Sequence, residues 1–162
     1  MRLDDEIVYN YRQSRVAFLK GDMSQAEYFY RLNRSQHGVE LYYELALPIH
    51  FMVVHPIGTV LGRATYGDLL CVYQNVGVGS DLDGNRPILG EGVVLFPGSK
   101  VLGKTKIGSN VFVTANTVVQ NCEIPDNSVV FMRSIPVTGA AICGWRPTKR
   151  SVIRDVFKVL NG

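Results

Sequence analysis

A six-residue repeat occupies most of the chain and constrains its fold more than any other feature. Large apolar residues recur at every sixth position and, after one interruption, resume at the same spacing, so that eleven hexads share the pattern. The residue four positions after each of these is small or β-branched in nearly every hexad. The large residues are Val54, Val60, Tyr66, Val72, Val78, Leu89, Leu95, Val101, Ile107, Val113 and Val119.

Such a period predicts a coil of three short flat strands per turn, about eighteen residues in all, whose inward side chains stack into a column. An antiparallel barrel would instead need a two-residue alternation with regular hairpin turns, which the sequence lacks. We expect glycine and asparagine to supply positive φ angles at the turns between strands. The residues expected there are Gly67, Gly79, Gly90, Gly108 and Asn110.

Two segments of the repeat, residues 66–79 and 89–108, resemble the hexapeptide-repeat acyltransferases, and the resemblance continues through IPDNSV at residues 124–129. It implies an all-β core in the form of a left-handed parallel β-helix, a homotrimer, and acetyl-CoA as the acyl donor. We divide the chain into an N-terminal helical segment (1–37), the left-handed β-helix acyltransferase domain (38–132) and a C-terminal extension with a helix (133–162).

The segments that flank the repeat have helical patterns. Residues 3–36 predict two helices separated at Gly21, with Ser24 and Glu27 at the spacing of a capping box for the second. Residues 149–160 place apolar side chains on one helical face, which predicts a C-terminal helix that covers the open end of the coil. Those side chains are Ile153, Val156, Phe157 and Leu160.

The composition excludes several classes of function. The chain has 17 basic and 14 acidic residues, too small an excess for a nucleic-acid-binding surface. Three cysteines without a CxxC spacing indicate neither a disulfide framework nor a zinc site. The N-terminus resembles no signal peptide, and no apolar run has the ~20 residues of a membrane span, so we expect a cytoplasmic protein without a metal.

His55 lies in the segment VHPIGTVLG (54–62), which resembles the His-containing motif of serine acetyltransferases. The resemblance implies that His55 takes the proton from the acceptor hydroxyl as it attacks the thioester, a step that suits a neutral imidazole. Glu40 precedes His55 by fifteen residues, the family's spacing between its catalytic aspartate and histidine. We predict that Glu40 orients the imidazole, with Glu44 as a weaker candidate.

The resemblance also implies where the ligands bind. The CoA arm is expected against Gly79, Pro97, Gly98, Thr114 and Ala115, mainly through backbone groups. Residues 80–86, SDLDGNR, interrupt the repeat and are predicted to leave the coil as a loop across the active site, with Asn85 and Arg86 contacting the acceptor.

The acceptor is predicted from one departure from the motif. Serine acetyltransferases have an aspartate before the histidine, used with the serine ammonium, whereas this chain has Val54. Because an unpaired ammonium is costly in a partly dry site, we predict a hydroxyl on a sugar or sugar-like metabolite, with L-serine as the alternative.

Two other functions remain open. A metal enzyme of the γ-carbonic anhydrase kind would use His50 and His55, but Ser14 stands where the third ligand belongs. A non-catalytic trimeric scaffold would keep the coil without turnover, and the presence of His55 with a preceding carboxylate argues against it.

Overall fold

The computed structural model describes residues 3–134 and 141–157. The chain begins with two packed helices, α1 (Leu3–Leu19) and α2 (Met23–His37). A buried pair of amides joins them, because Asn10 Nδ2 donates to Asn33 Oδ1 at 3.1 Å. The hydroxyl of Tyr11 donates to the Leu45 carbonyl at 2.6 Å and thereby fixes α1 against the first turn of the coil.

The predicted cap of α2 is wrong by two residues. Asp22 is the N-cap, since its side chain accepts a hydrogen bond from the Gln25 N–H at 3.0 Å, and Ser24 lies inside the helix. The aspartate competes successfully because it directly follows the Gly21 break and carries a charge that favours a helix N-terminus. The helix ends at Gly38, whose φ of 62° supplies the left-handed cap.

The described residues that follow form fifteen strands, most of them two or three residues long. They are β1 Glu40–Leu41, β2 Phe51–Val53, β3 Val60–Leu61, β4 Thr65–Tyr66, β5 Leu70–Val72, β6 Gly77–Gly79, β7 Ile88–Leu89, β8 Val93–Leu95, β9 Lys100–Leu102, β10 Lys106–Ile107, β11 Val111–Val113, β12 Val118–Gln120, β13 Glu123–Ile124, β14 Ser128–Ser134 and β15 Ala141–Pro147.

The strands form the three flat sides of a coil with about five turns. One sheet has the order β1-β3-β6-β9-β12, the second β13-β10-β7-β4, and the third β15-β14-β11-β8-β5-β2. All neighbours pair in parallel except β14 and β15, which are antiparallel. The predicted parallel β-helix is confirmed.

The interior is a column of apolar side chains, as the six-residue period predicts. From Tyr66 to Val119 the predicted large residues are all at least nine-tenths buried, and each contributes about 1.5–3 kcal/mol relative to an exposed side chain. The first two predicted members are wrong. Val53 and Leu61 are buried in place of Val54 and Val60, because the turn between β2 and β3 is two residues longer than the turn between β5 and β6.

Glycine serves the turns in two different ways. Positive φ occurs at Asn75, Gly98 and Asn116 on one corner of the coil and at Gly92 and Asn110 on another, so the prediction for Asn110 is right. It is wrong for the other four residues, which do not have positive φ. Three of them lie where successive turns approach closely, and a Cβ would lie 2.3 to 2.7 Å from backbone or side-chain atoms of the next turn; these are Gly67, Gly90 and Gly108.

The described helical part of the C-terminal segment packs against a side of the coil. A five-residue π-helix, Ile153–Phe157, follows β15, and Leu160 of the predicted helix lies outside the described residues. Val152 and Val156 pack onto the outer face of the third sheet with Cys71, Val94 and Phe112. This face is apolar on its outside as well as its inside, so its outer side chains are buried by the C-terminal residues.

Candidate active site

One corner of the coil gathers most of the predicted site residues. The corner is formed by residues 54–58, 73–75, 96–98 and 114–116, and we call it the His55 corner. Backbone hydrogen bonds stack its turns: the N–H of Asn75 donates to Ile57, that of Gly98 to Gln74, and that of Asn116 to Pro97, at 2.8 to 2.9 Å. His55, Pro97, Gly98, Thr114 and Ala115 therefore follow one another along a single edge.

His55 lies on the longer first turn of this corner, and its backbone is unusual. Its φ is 48°, whereas the other positive-φ positions among the described residues are asparagine or glycine, apart from Leu69. Histidine is among the residue types that adopt positive φ more often than most, so this conformation fits the tight turn at the corner. The residue is exposed, and within residues 3–134 and 141–157 no hydrogen bond or ion pair reaches the imidazole.

The structure does not bring Glu40 onto His55. The Glu40 carboxylate lies 3.6 Å from Nε of Arg34 on α2, and the two side chains line a cleft of about 250 Å³ with Gly58 and Thr59. The backbone N–H of Glu40 donates to the Thr59 carbonyl at 2.9 Å, so the residue lies beside the His55 corner. Its role in orienting the imidazole stays a prediction.

A carboxylate that the sequence analysis missed does reach the corner. Oδ2 of Asp4, in the first turn of α1, lies 3.5 Å from the backbone nitrogen of His55. Asp4, Asp5 and Glu6 make this turn acidic. The signal in the sequence was the acidic helix start, but only the packing of α1 on the coil places it next to His55.

The remaining predicted residues lie at the next corner of the coil. Gly79 ends β6, and residues 80–87 form the predicted loop before β7. The Asn85 side chain donates to Oδ2 of Asp81 at 2.8 Å, and this bond is the main reason why the pKa of the Asp81 carboxyl is lowered. Asn85 therefore shapes the loop, whereas Arg86 is exposed and makes no ion pair among the described residues.

One flat strand side separates the two corners. Its strands, β1, β3, β6, β9 and β12, are two or three residues long. Within one chain Arg86 and His55 thus lie on different edges, and the structure does not bring them together.

A second histidine, His50, has a partner of its own. Its Nδ1 lies 2.7 Å from Oδ2 of Asp68, and its backbone N–H donates to Oδ1 at 2.8 Å. The imidazole is the main cause of the lowered pKa of Asp68. Asp68 lies at the third corner of the coil, between the second and third sheets. A similar bond occurs further along this corner, where the Ser109 N–H donates to the Asp126 carboxylate at 2.7 Å. Asp68 therefore acts mainly as a cap of its turn.

An apolar pocket adjoins the His55 corner on the third sheet. It has a volume of about 360 Å³ and is lined by Tyr73, Phe96, Phe112 and Thr114, with Arg150 at its rim. The rings of Tyr73 and Phe96 are stacked with centroids 5.2 Å apart. Thr114, a predicted CoA contact, thus belongs both to the corner and to the lining of this pocket.

The fold is that of known acetyltransferases. A serine acetyltransferase of Entamoeba histolytica, isoform 3 in complex with cysteine, has a TM-score of 0.66 at 28% identity over 80% of this chain and 48% of that chain. The serine acetyltransferase of Brucella abortus strain S19 shares the fold with a TM-score of 0.73, at 19% identity over 89% of this chain and 57% of that chain.

A curated relative supports the same assignment by sequence. The serine acetyltransferase of Staphylococcus aureus strain Mu50 is 34% identical over 104 residues, which are 62% of this chain and 48% of that protein. The chain thus spans about half the length of the curated relatives it matches. No protein-family model matches it.

The three-sided parallel coil and its looped second corner define the left-handed β-helix class of hexapeptide-repeat proteins. Within that class the chain is similar to the serine acetyltransferases. No helix of the described residues is both long and apolar enough to cross a bilayer.

Proposed function

We propose that the chain is an O-acetyltransferase that uses acetyl-CoA, with His55 as general base. The observation that carries the proposal is the His55 corner, where the histidine stands in line with four of the five predicted CoA contacts. The name of the Staphylococcus aureus relative supports the reaction type.

The reaction that this arrangement serves is a direct transfer. The imidazole of His55 accepts the proton of the acceptor hydroxyl while the oxygen attacks the thioester carbonyl. The carbon–sulfur bond then breaks, and the departing thiolate takes the proton from the imidazolium. The products are the O-acetyl ester and free CoA, and the histidine returns to its neutral form.

L-Serine is the acceptor that we propose. The relatives favour it over the sugar hydroxyl expected from Val54, and Asp4 supplies the charge that Val54 lacks. A carboxylate 3.5 Å from the His55 backbone can compensate an ammonium bound beside the imidazole, so the argument from desolvation against an amino acid is weakened.

A sugar hydroxyl is the second candidate, because the position before His55 remains apolar. Val54 is half-buried and packs with the cluster of Cys71 and Val94 on the third sheet. If Asp4 does not face the acceptor, nothing at Val54 recognises a cation.

Thiol release from acetyl-CoA, measured across L-serine, sugars and nucleotide-sugars, tests the proposal. We expect kcat/KM for L-serine to exceed that of every sugar. Asp4→Asn should raise KM for L-serine but leave KM for 3-hydroxypropionate, which lacks the ammonium, unchanged. A sugar that outperforms L-serine would establish the second candidate, and absence of both CoA binding and turnover would favour the scaffold.

A further inference from the structure

Two half-buried cysteines meet at the C-terminal end of the apolar column. Cys122 stands between β12 and β13, which are the last strands of the first and second sheets among the described residues. Its carbonyl accepts from the Lys106 N–H at 3.0 Å, just as the Thr105 carbonyl one turn earlier accepts from the Ile88 N–H at 2.9 Å. Cys122 is therefore stacked on Thr105, which is fully buried, and its side chain packs against the core.

Cys143 reaches the same place from β15. It is paired with Met132 of β14, which follows Val130 by two residues. Residues opposite each other in an antiparallel pair, and residues two apart along a strand, point to the same face. Val130 is fully buried in the column, so Cys143 faces inward as well and packs against the same core. Its thiol is hydrogen-bonded to that of Cys122.

The third cysteine has none of these features. Cys71 is fully buried in a separate cluster on the outer face of the third sheet. Cys122 and Cys143 are free thiols that remain partly exposed, so a small molecule in solution can reach them. A disulfide requires two side chains that point toward each other from separate parts of the backbone, and this pair meets that requirement.

We propose that Cys122 and Cys143 are a redox modification site, where an intramolecular disulfide forms by exchange with a small disulfide such as oxidised glutathione. The Cys122 sulfur attacks one sulfur of the small disulfide, loses its proton and releases one glutathione, which leaves a mixed disulfide. Cys143 then attacks the Cys122 sulfur, loses its proton and releases the second glutathione. Two protein thiols are oxidised, and one small disulfide is reduced to two thiols.

The order of attack follows from the protonation of Cys143. Burial, and after it the neighbouring Cys122, raises the pKa of the Cys143 thiol to about 11, so this thiol keeps its proton in neutral solution. Because the thiolate is the attacking species, Cys143 is the poorer nucleophile toward a molecule from solution. In the second step its contact with Cys122 offsets the small thiolate fraction.

The bond would fasten the β14–β15 hairpin to the last turn of the coil, and the inference does not rest on the proposed function. The native protein is incubated with oxidised glutathione, alkylated, denatured and digested with trypsin. Cleavage at Arg133 separates the two cysteines into the peptides 107–133 and 134–149. We expect these peptides to be linked, the thiol count to fall from three to one, and dithiothreitol to reverse both changes. Cys71→Ala should form the same link.

Single variants test the order of attack. Cys143→Ser should stop after the first step and carry one glutathionyl group on Cys122. Cys122→Ser should acquire that group on Cys143 roughly tenfold more slowly, since a higher pKa lowers the thiolate fraction more than it raises the nucleophilicity. Equal rates, or a faster reaction at Cys143, would overturn the order of attack.

The thermal midpoint tests the fastening of the hairpin. The oxidised wild type should have a Tm about 5–10 °C above that of the reduced protein, because the disulfide closes a loop in the unfolded chain. Cys122→Ser, which places a small hydroxyl above that of Thr105, should show no such rise. A link that forms only after unfolding, or only between two chains, would overturn the inference. A link that forms in the native chain and leaves the Tm unchanged or lower would refute the fastening.

Discussion

The position that a Cβ atom would take on Gly67 lies 2.3 Å from the carbonyl carbon of Gly90 on the next turn of the coil. The carbonyl oxygen of Gly90 and the nitrogen of Glu91 would be 2.4 and 2.7 Å away. All three are backbone atoms in a hydrogen-bonded stack, so they cannot yield as a flexible side chain would. The absence of a side chain at Gly67 is therefore a condition for the stacking of these turns.

Gly67→Ala is expected to destabilise the protein by about 1–3 kcal/mol or more, the cost of overpacking a close contact. Urea denaturation measures the change. Gly79→Ala is the matched control, because a Cβ at Gly79 meets nothing within 4 Å and the residue also ends a strand of the coil. Equal destabilisation by both substitutions would contradict this account.

The cap of α2 provides a second test of local structure. Asp22→Ala should lower the free energy of unfolding by about 1 kcal/mol, because it removes the acceptor for the Gln25 N–H. Ser24→Ala, two residues further, should change it by only a few tenths, since Ser24 is inside the helix. The reverse order would restore the capping box that the sequence predicts.

The sequence predicts some parts of the fold better than others. The hexad period predicts the coil and most of its core, because each turn repeats the same inward and outward alternation. It cannot locate a longer turn, so Val54 and Val60 are assigned to the core although Val53 and Leu61 occupy it. Nor does it distinguish a glycine needed for positive φ, such as Gly98, from one needed for close approach.

The candidate site was predictable only along one corner. His55 and the residues below it follow from the repeat, because positions eighteen or so residues apart come to the same edge. Asp4 was not predictable, since its contact depends on how α1 packs on the first turn.

His55→Ala is expected to lower kcat by roughly 10² to 10⁴-fold, the range for loss of a general base, with little change in CoA affinity. Glu40→Gln should cost less, because it removes an orienting charge and not the base. For both variants, thiol release measures kcat and calorimetric titration measures the affinity for CoA. Near-normal turnover in His55→Ala would refute the assignment, and a Glu40→Gln loss as large as that of His55→Ala would give the carboxylate a direct role.

Burial of Cys71 should make stability depend on pH in alkaline solution. Burial raises the pKa of this thiol to about 12, above its ordinary value of 9.0. Between these pH values the thiol of the unfolded chain loses its proton and that of the folded chain keeps it. The contribution of Cys71 to the free energy of unfolding is therefore fully present below pH 9. It falls as the pH rises above 9, by up to about 1.4 kcal/mol per pH unit.

Urea midpoints from pH 8 to pH 11 measure this effect, with Cys71→Ala as the control. The variant lacks the thiol, so its midpoint should fall less steeply, whatever constant cost the smaller side chain brings at pH 8. Tyrosines such as Tyr66, whose pKa burial also raises, contribute equally to both proteins and cancel in the comparison. Parallel curves for the two proteins would show that Cys71 is accessible to ionisation in the folded chain.

The location of His55 and Arg86 on different edges predicts that the active site is completed between chains. A homotrimer would bring one edge of each subunit against another edge of its neighbour, and light scattering should then report about three times the 18.0 kDa chain mass.

His55→Ala and Arg86→Ala each remove a side chain from a different edge. The first should lower kcat, and the second should mainly raise KM. When the two variants are unfolded together and refolded as mixed trimers, about one site in four should combine an intact His55 with an intact Arg86 from its neighbour, if assembly is random. Activity at low substrate should therefore rise above that of either variant refolded alone. A mixture no more active than its components, or a stable monomer with full activity, would place the complete site within one chain.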